Sequence, residues 1–238
     1  MNVAYNEDCL VAMRKMPDKT FDLAVVDPPY GLGIDGQAER YDSKHPQHSR
    51  KCHLRQDWDN DIPPAEYFAE LQRVSRNQII WGGNYMVKHL QNGHKGWIVW
   101  DKGQRGLTMS DCELAYSSFD SPTRIFVLNR VALAQQGTIH PTEKPIMLYK
   151  WLFKNYAKDG DKILDTHLGS GSSRIAAYDM GFDFVGYEIS KYYFDKQEER
   201  FARHTAQLSF LRSDDISDDI NELSQMQFTN IGDELCDM

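Results

Sequence analysis

Two short segments of the chain combine residue types that could do chemistry. The first, Asp27-Pro28-Pro29-Tyr30, closes the apolar run Leu23–Val26. A planar exocyclic amine, its lone pair conjugated into a heterocycle, is a poor nucleophile. The Asp27 carboxylate and the Pro28 carbonyl can each accept one of its N–H bonds. This holds the nitrogen nearer to tetrahedral and stabilises the positive charge that develops as it attacks a methyl group. Proline fixes its own φ and has no N–H, so Pro28 and Pro29 present that carbonyl without competition. Tyr30 supplies a ring face on which a base can stack.

The second segment is Asp165-Thr166-His167-Leu168-Gly169-Ser170-Gly171-Ser172-Ser173. Glycines let a backbone approach a ligand closely, and a helix start presents free N–H groups. Glu188 closes the next strand, where a carboxylate accepts hydrogen bonds from ribose hydroxyls. Together these features point to a cofactor containing adenosine. The dinucleotide fingerprint fails because Arg174 stands at its third glycine, and no Gly-Lys-Ser/Thr makes a P-loop.

The elements that must position these loops follow from patterning. Leu23–Asp27 reads as a strand buried on both faces, and Pro63-Pro64 open a helix with Tyr67, Phe68, Leu71 and Val74 at helical spacing. Strands are expected at Gln78–Trp81 and Trp97–Trp100, with Leu114–Ser117 and Ile125–Leu128 as a strand pair. Pro145 starts a helix through Tyr156 whose buried stripe is read as Met147, Leu148, Trp151 and Leu152. A strand at Lys162–Asp165, a helix from Ser172 to Met180 capped by Gly181, a strand at Phe182–Glu188 and a helix carrying Phe194, Phe201 and Leu208 complete the chain. Strands alternating with helices predict an α/β fold with a mostly parallel, doubly wound sheet. In such sheets ligands sit outside the carboxyl ends of the strands where strand order reverses, so both loops should converge there.

Asp27-Pro28-Pro29-Tyr30 and Asp165…Gly169-Ser170-Gly171 resemble the catalytic and cofactor motifs of S-adenosylmethionine-dependent DNA amino-methyltransferases, which modify adenine N6 or cytosine N4. The catalytic motif comes first, as in the permuted β group of that family. His140-Pro141-Thr142-Glu143-Lys144-Pro145 is similar to that group's segment upstream of the cofactor loop. The resemblance covers nearly everything from Asn6 to Phe201. It implies a Rossmann-like methyltransferase fold with circularly permuted motif order and S-adenosylmethionine as cofactor. By position, Asp27, Pro28, Pro29 and Tyr30 would hold a flipped base. Asp165, Gly169, Ser170 and Gly171 would surround the methionine part of the cofactor. Glu188 would hold the ribose, Asp8 the adenine edge, and Thr142 and Lys144 the cofactor's carboxylate side. Trp81-Gly82-Gly83-Asn84 resembles the segment lining the target-base pocket. The chain departs from the family where Thr166 and His167 replace the usual Pro-Phe. An Asp-led motif implies adenine N6, with cytosine N4 as the alternative. An RNA or protein-amide methyltransferase and a catalytically silent DNA-binding regulator are the further readings.

The formal charge of −8 at first argues against a nucleic-acid partner. Residues 213–238, however, hold eight acids and neither Lys nor Arg, so residues 1–212 are neutral and local clustering decides where a polyanion docks. Double-stranded DNA is the expected partner. Its candidate contacts are Arg40, Lys44, Arg50, Lys51 and Arg55 in the polar loop 31–60, and Lys102, Arg105, Arg124 and Arg130 in a short recognition region at 102–139. A methyltransferase domain over 1–212 and a solvated acidic tail over 213–238 are the expected organisation, and dimers occur among β-group relatives. His45, His48, Cys52 and His53 match no common closed zinc spacing, so no metal is expected. The four cysteines form no Cys-x-x-Cys pair. Glu7 and Asp8 break any basic-then-apolar leader, and no apolar run approaches a membrane span. A reducing cytoplasm, of a bacterium or a phage-infected cell, is the expected setting.

Overall fold

In the computed structural model the described residues are 1–33, 59–90, 95–103, 105–106, 110–129, 139 and 142–211. Eight strands form one sheet: β1 (Asn2–Tyr5), β2 (Phe21–Val26), β3 (Ser75–Trp81), β4 (Trp97–Asp101), β5 (Cys112–Ser117), β6 (Arg124–Val127), β7 (Lys162–Asp165) and β8 (Asp183–Tyr187). Among the described residues five α-helices accompany them: α1 (Cys9–Met13), α2 (Ala65–Val74), α3 (Ile146–Tyr156), α4 (Ser172–Asp179) and α5 (Lys191–Leu211). The compact unit carrying the sheet runs Met1–Glu198, and Glu199–Met238 forms a second unit, described only for the later part of α5.

Strand order is β1-β8-β7-β2-β3-β5-β4-β6. All neighbours are parallel except β3 with β5 and β5 with β4. The expected α/β class, with a mostly parallel sheet wound on both sides, is therefore what the chain adopts. Alternation along each central strand divides two cores. Leu23, Val25, Ile79, Ile163 and Phe184 face Leu148, Tyr149, Leu152 and Phe153 of α3 and Ala176 and Ala177 of α4. Ala24, Val26, Ile80, Leu164 and Val185 face Ala12 and Met13 of α1 and Tyr67, Phe68, Leu71 and Val74 of α2. A strand stretch buried on both faces must be apolar throughout, which is why Leu23–Val26 of β2 reads as an unbroken apolar run.

From β2 the chain crosses to β3 on one side, and from β7 it crosses to β8 on the other. β2 and β7 are themselves paired, with Leu23 opposite Ile163 and Ala24 opposite Leu164. Strand order thus reverses between them, and the carboxyl ends of such a strand pair are where open parallel sheets hold ligands.

Two expectations need correction. Ile125–Leu128 does not pair with Leu114–Ser117. Both edges of β5 are taken, by β3 (Ile79 opposite Ser117) and β4 (Trp97 opposite Tyr116), so β6 pairs in parallel with the far side of β4. The buried stripe of α3 is Leu148, Tyr149, Leu152 and Phe153, while Met147 is 60% exposed. That helix is apolar nearly all round, so two stripes one residue apart both fit its period. β1 and α1 are elements that patterning did not reveal. Leu152→Ala should destabilise the fold by about 2–5 kcal/mol, and Met147→Ala by under about 0.5 kcal/mol. Chemical denaturation of the two variants checks the corrected stripe.

Candidate active site

β1, β8, β7 and β2 are mutually parallel, so the segments leaving their carboxyl ends share one edge of the sheet. Asp8, Glu188, the 165–173 loop and the 27–30 loop all lie along that edge. The two motifs read from sequence therefore leave adjacent hydrogen-bonded strands.

The cofactor loop turns through Gly169 (φ 51°) and Gly171 (φ 75°), the left-handed region that glycine enters without strain. A Cβ on Gly171 would press on Gln197 Cβ at 3.1 Å, so this turn is closed to larger residues. Gly171 caps α4 and supplies no side-chain hydrogen bond to its first turn. Glu188 Oε2 accepts the Gly169 N–H at 2.8 Å and Oε1 accepts the Ser190 N–H at 2.8 Å, which ties the β8 turn to the glycine loop. Burial raises its pKa while these backbone donors oppose the shift. Asp165 Oδ2 accepts the Ser173 hydroxyl at 2.5 Å and Oδ1 accepts the His167 N–H at 3.0 Å. Burial lifts Asp165 to about 7, against those hydrogen bonds and with help from the charges of Asp27 and Glu188.

Thr166 and His167, the departure from the family pattern, are held by hydrogen bonds. Thr166 Oγ1 lies 2.6 Å from the Tyr67 hydroxyl on α2 and 2.9 Å from His167 Nδ1. The His167 ring packs edge-on against Tyr67, and burial lowers its pKa to about 4, so it is neutral at pH 7. Ser170 Oγ lies 3.1 Å from Ser172 Oγ. Asp8 caps α1, accepting the N–H groups of Leu10 and Val11.

The catalytic loop is pinned by Asp59, a residue the sequence did not single out. It is 1% exposed, and its Oδ1 accepts the N–H groups of Tyr30 at 2.8 Å and Gly31 at 3.0 Å. The Tyr30 hydroxyl donates to Asp27 Oδ1 at 2.8 Å, and the Tyr30 ring stacks on Tyr85 with centroids 5.3 Å apart. Gly82 has φ 67°, and a Cβ there would enter the Tyr30 ring, so the backbone at Gly82 packs directly on Tyr30.

Lys144, expected beside the cofactor's carboxylate, reaches the Asp27 carboxylate. Its Nζ lies 2.5 Å from Asp27 Oδ2 and 3.2 Å from Glu113 Oε2, and donates to the Tyr30 hydroxyl at 3.2 Å. Thr142, two residues before it, is half-buried. Glu113 is the other residue missed. β5 runs against its neighbours, so its first residues lie at the edge where the parallel strands end.

Burial opposes the charge of Glu113, but Lys144 and Lys102 prevail and hold it at about 2. Burial likewise raises Asp27, with Glu113 adding to the shift and Lys144 opposing it. The cluster thus sets two carboxylates, Asp27 and Glu113, against two ammonium groups, Lys144 and Lys102.

Of the proposed DNA contacts, Lys102 is a correction. It is 5% exposed and pairs with Glu113 Oε1 at 2.7 Å, so its ammonium is committed to the protein interior. Arg124 begins β6, which is parallel to β4, and therefore lies at the sheet edge opposite the two loops. Arg105 is exposed, on the side of those loops, and paired with Asp101 at 2.6 Å. Arg40, Lys44, Arg50, Lys51, Arg55 and Arg130 lie outside the described residues, as do His45, His48, Cys52 and His53, the 213–238 tail, and His140 and Pro141. Among the described residues no helix is long and apolar enough to cross a membrane.

Residues 89–199 match the family model described as DNA methylase (N6_N4_Mtase). The chain is 22% identical over 250 residues to the type II methyltransferase M.HinfI of Haemophilus influenzae, covering 84% of this chain and 68% of that protein. Its fold is similar to that of the M1.HpyAVI–SAM complex (TM-score 0.56, 16% identity, 84% of this chain and 100% of the other). It is also similar to the PvuII DNA methyltransferase described as cytosine-N4-specific (TM-score 0.56, 11% identity, 84% and 86%).

The buried Asp165 makes a pH test of this geometry. A folded-state pKa of about 7, above the unfolded value near 4, means the folded protein binds the extra proton between those limits. Its stability contribution is therefore lost as pH rises from about 4 to 7. Asp165→Asn should remove that decline, worth about 2.5 kcal/mol between pH 5 and pH 8, as read by urea unfolding at those two values.

Proposed function

We propose that the chain is an amino-methyltransferase of the N6/N4 class and that it transfers the methyl group of S-adenosylmethionine to adenine N6 in double-stranded DNA. The observation that carries this reading is the pairing of β2 with β7, from whose carboxyl ends the acceptor loop and the glycine turn both leave. The closed glycine turn at Gly171 and the buried carboxylates Asp165 and Glu188 fit a cofactor that joins a cationic amino-acid end to a ribose. When bound, S-adenosylmethionine supplies an electrophilic methyl group on a sulfonium.

The remaining work falls to the protein. Asp165 offers negative charge to the cofactor's ammonium, Gly169–Gly171 give backbone room, and Glu188 offers lone pairs to the ribose hydroxyls. Asp27 and the Pro28 carbonyl accept the two N–H bonds of the target amine, and Asp27 takes the proton that the nitrogen loses after methylation. A stacked base cannot reach this loop, so the target nucleotide must leave the duplex, and Tyr30 provides the face on which it rests. Exposed Arg105 and the basic residues of loop 31–60 are suited to the phosphates. The Asp-led motif favours adenine. Cytosine N4 is the second reading, favoured by the fold shared with the PvuII enzyme.

Asp27→Ala should lower labelled methyl transfer to duplex DNA by more than about 10³-fold while cofactor binding persists. Loss of both together would remove Asp27 from the acceptor site. Digesting the methylated DNA and identifying the modified nucleoside decides between adenine and cytosine. Glu188→Ala should weaken cofactor binding by about tenfold or more in calorimetric titration, and unchanged affinity would remove it from the ribose.

A further inference from the structure

The acceptor loop has no obvious vacancy for an incoming amine. Of the two Asp27 oxygens, Oδ1 accepts the Tyr30 hydroxyl and Oδ2 faces Lys144 Nζ at 2.5 Å. The cluster holds two carboxylates (Asp27, Glu113) and two ammonium groups (Lys144, Lys102), so its charge cancels where positive charge must build on the target nitrogen. An acceptor stabilises that charge only if its own counter-ion withdraws.

Glu113 offers the withdrawal route. Its Oε2 already lies 3.2 Å from the same Nζ, while Lys102 anchors its other oxygen at 2.7 Å. A small shift of the ammonium from one carboxylate to the other keeps the ammonium paired throughout and leaves Asp27 with the Tyr30 hydroxyl and the amine's N–H as its donors. Lys144 is 3% exposed and lies 5.3 Å from the Trp81 ring centroid and 5.6 Å from that of Tyr30, so both carboxylates share it within an aromatic wall.

We propose that in the free protein Lys144 occupies the place on Asp27 that the target amine later takes, and that Glu113, anchored by Lys102, receives the ammonium when the amine arrives. Glu113 and Lys102 are thus positioning residues for the acceptor. This rests on the amine-methylating reading above. The groups facing Asp27 are Tyr30 of its own loop, Lys144 and Tyr149 at α3, Glu113 at β5, Asp165 at β7 and Tyr67 on α2. Among these groups Glu113 is the other carboxylate that contacts Lys144.

The test combines carboxyl-carbon NMR titration of Asp27 in the free protein with pH profiles of methyl transfer from labelled S-adenosylmethionine to duplex DNA. Glu113→Gln leaves Lys144 wholly on Asp27. The Asp27 titration and the acidic limb of kcat should both move to lower pH. The plateau of kcat should fall about tenfold to a hundredfold, with KM for S-adenosylmethionine unchanged. Glu113→Asp keeps the anion and should restore the limb. Lys102→Gln lets Glu113 draw Lys144 harder and should move the Asp27 titration to higher pH, which keeps the proposal testable if Glu113→Gln does not fold. Wild-type kcat and an unmoved limb in Glu113→Gln, or an Asp27 titration indifferent to Glu113 and Lys102, overturns it. If the wild type transfers no methyl group to DNA yet Asp27 titrates as stated, the DNA reading falls and the shared ammonium stands.

Discussion

The hydrogen-bonded neighbourhood of β2 and β7 is the constraint on which the site depends. The chain leaves these two strands in opposite directions, so the 27–30 and 165–173 loops emerge side by side from their carboxyl ends. One loop carries acceptors for an amine, and the other carries the turn and carboxylates suited to an adenosine-containing donor. Neighbouring strands lie about 4.8 Å apart, so register fixes the separation of donor and acceptor loops more firmly than any single side-chain contact does.

The supports of these loops come from elements remote in sequence. Asp59 holds the backbone of the catalytic loop, Tyr67 on α2 holds Thr166 of the cofactor loop, and Glu188 at the end of β8 holds Gly169. Each is a buried or half-buried polar group meeting the hydrogen-bonding needs of a loop that cannot satisfy its own. Where the family usually has Pro-Phe, ring stiffness would restrain the chain. In this chain the Tyr67–Thr166–His167 chain of hydrogen bonds restrains the same two residues by other means.

Much of the fold was legible because a doubly wound sheet writes itself plainly: apolar strands, a glycine turn after β7, and helices between. The central strands and four of the helices follow from patterning. What escaped has specific causes. β1 and α1 are short, and their burial comes from neighbours far along the chain. The stripe on α3 slipped by one residue because Ile146–Tyr156 is apolar on most of its circumference. The pairing of β6 could not be seen from adjacency, since the edges of β5 are filled by strands on either side. Site residues split the same way. Asp27, Asp165 and Glu188 announce themselves by ending parallel strands. Glu113 begins an antiparallel one, and a search along carboxyl ends passes over it. Lys102 reads as one more surface cation until its burial against Glu113 is known.

The edge pairing of β1 with β8 has a consequence for how such chains are ordered. Asn2 lies opposite Phe184, so the start of the described chain is stapled to its last strand, and the sheet behaves as a nearly closed circuit of elements. Opening that circuit at another connection would leave every strand neighbour, and hence the site, unaltered. Motif order along the polypeptide is then free to vary between related enzymes without touching the reaction, because the chemistry is fixed by who pairs with whom and is indifferent to which segment the ribosome makes first.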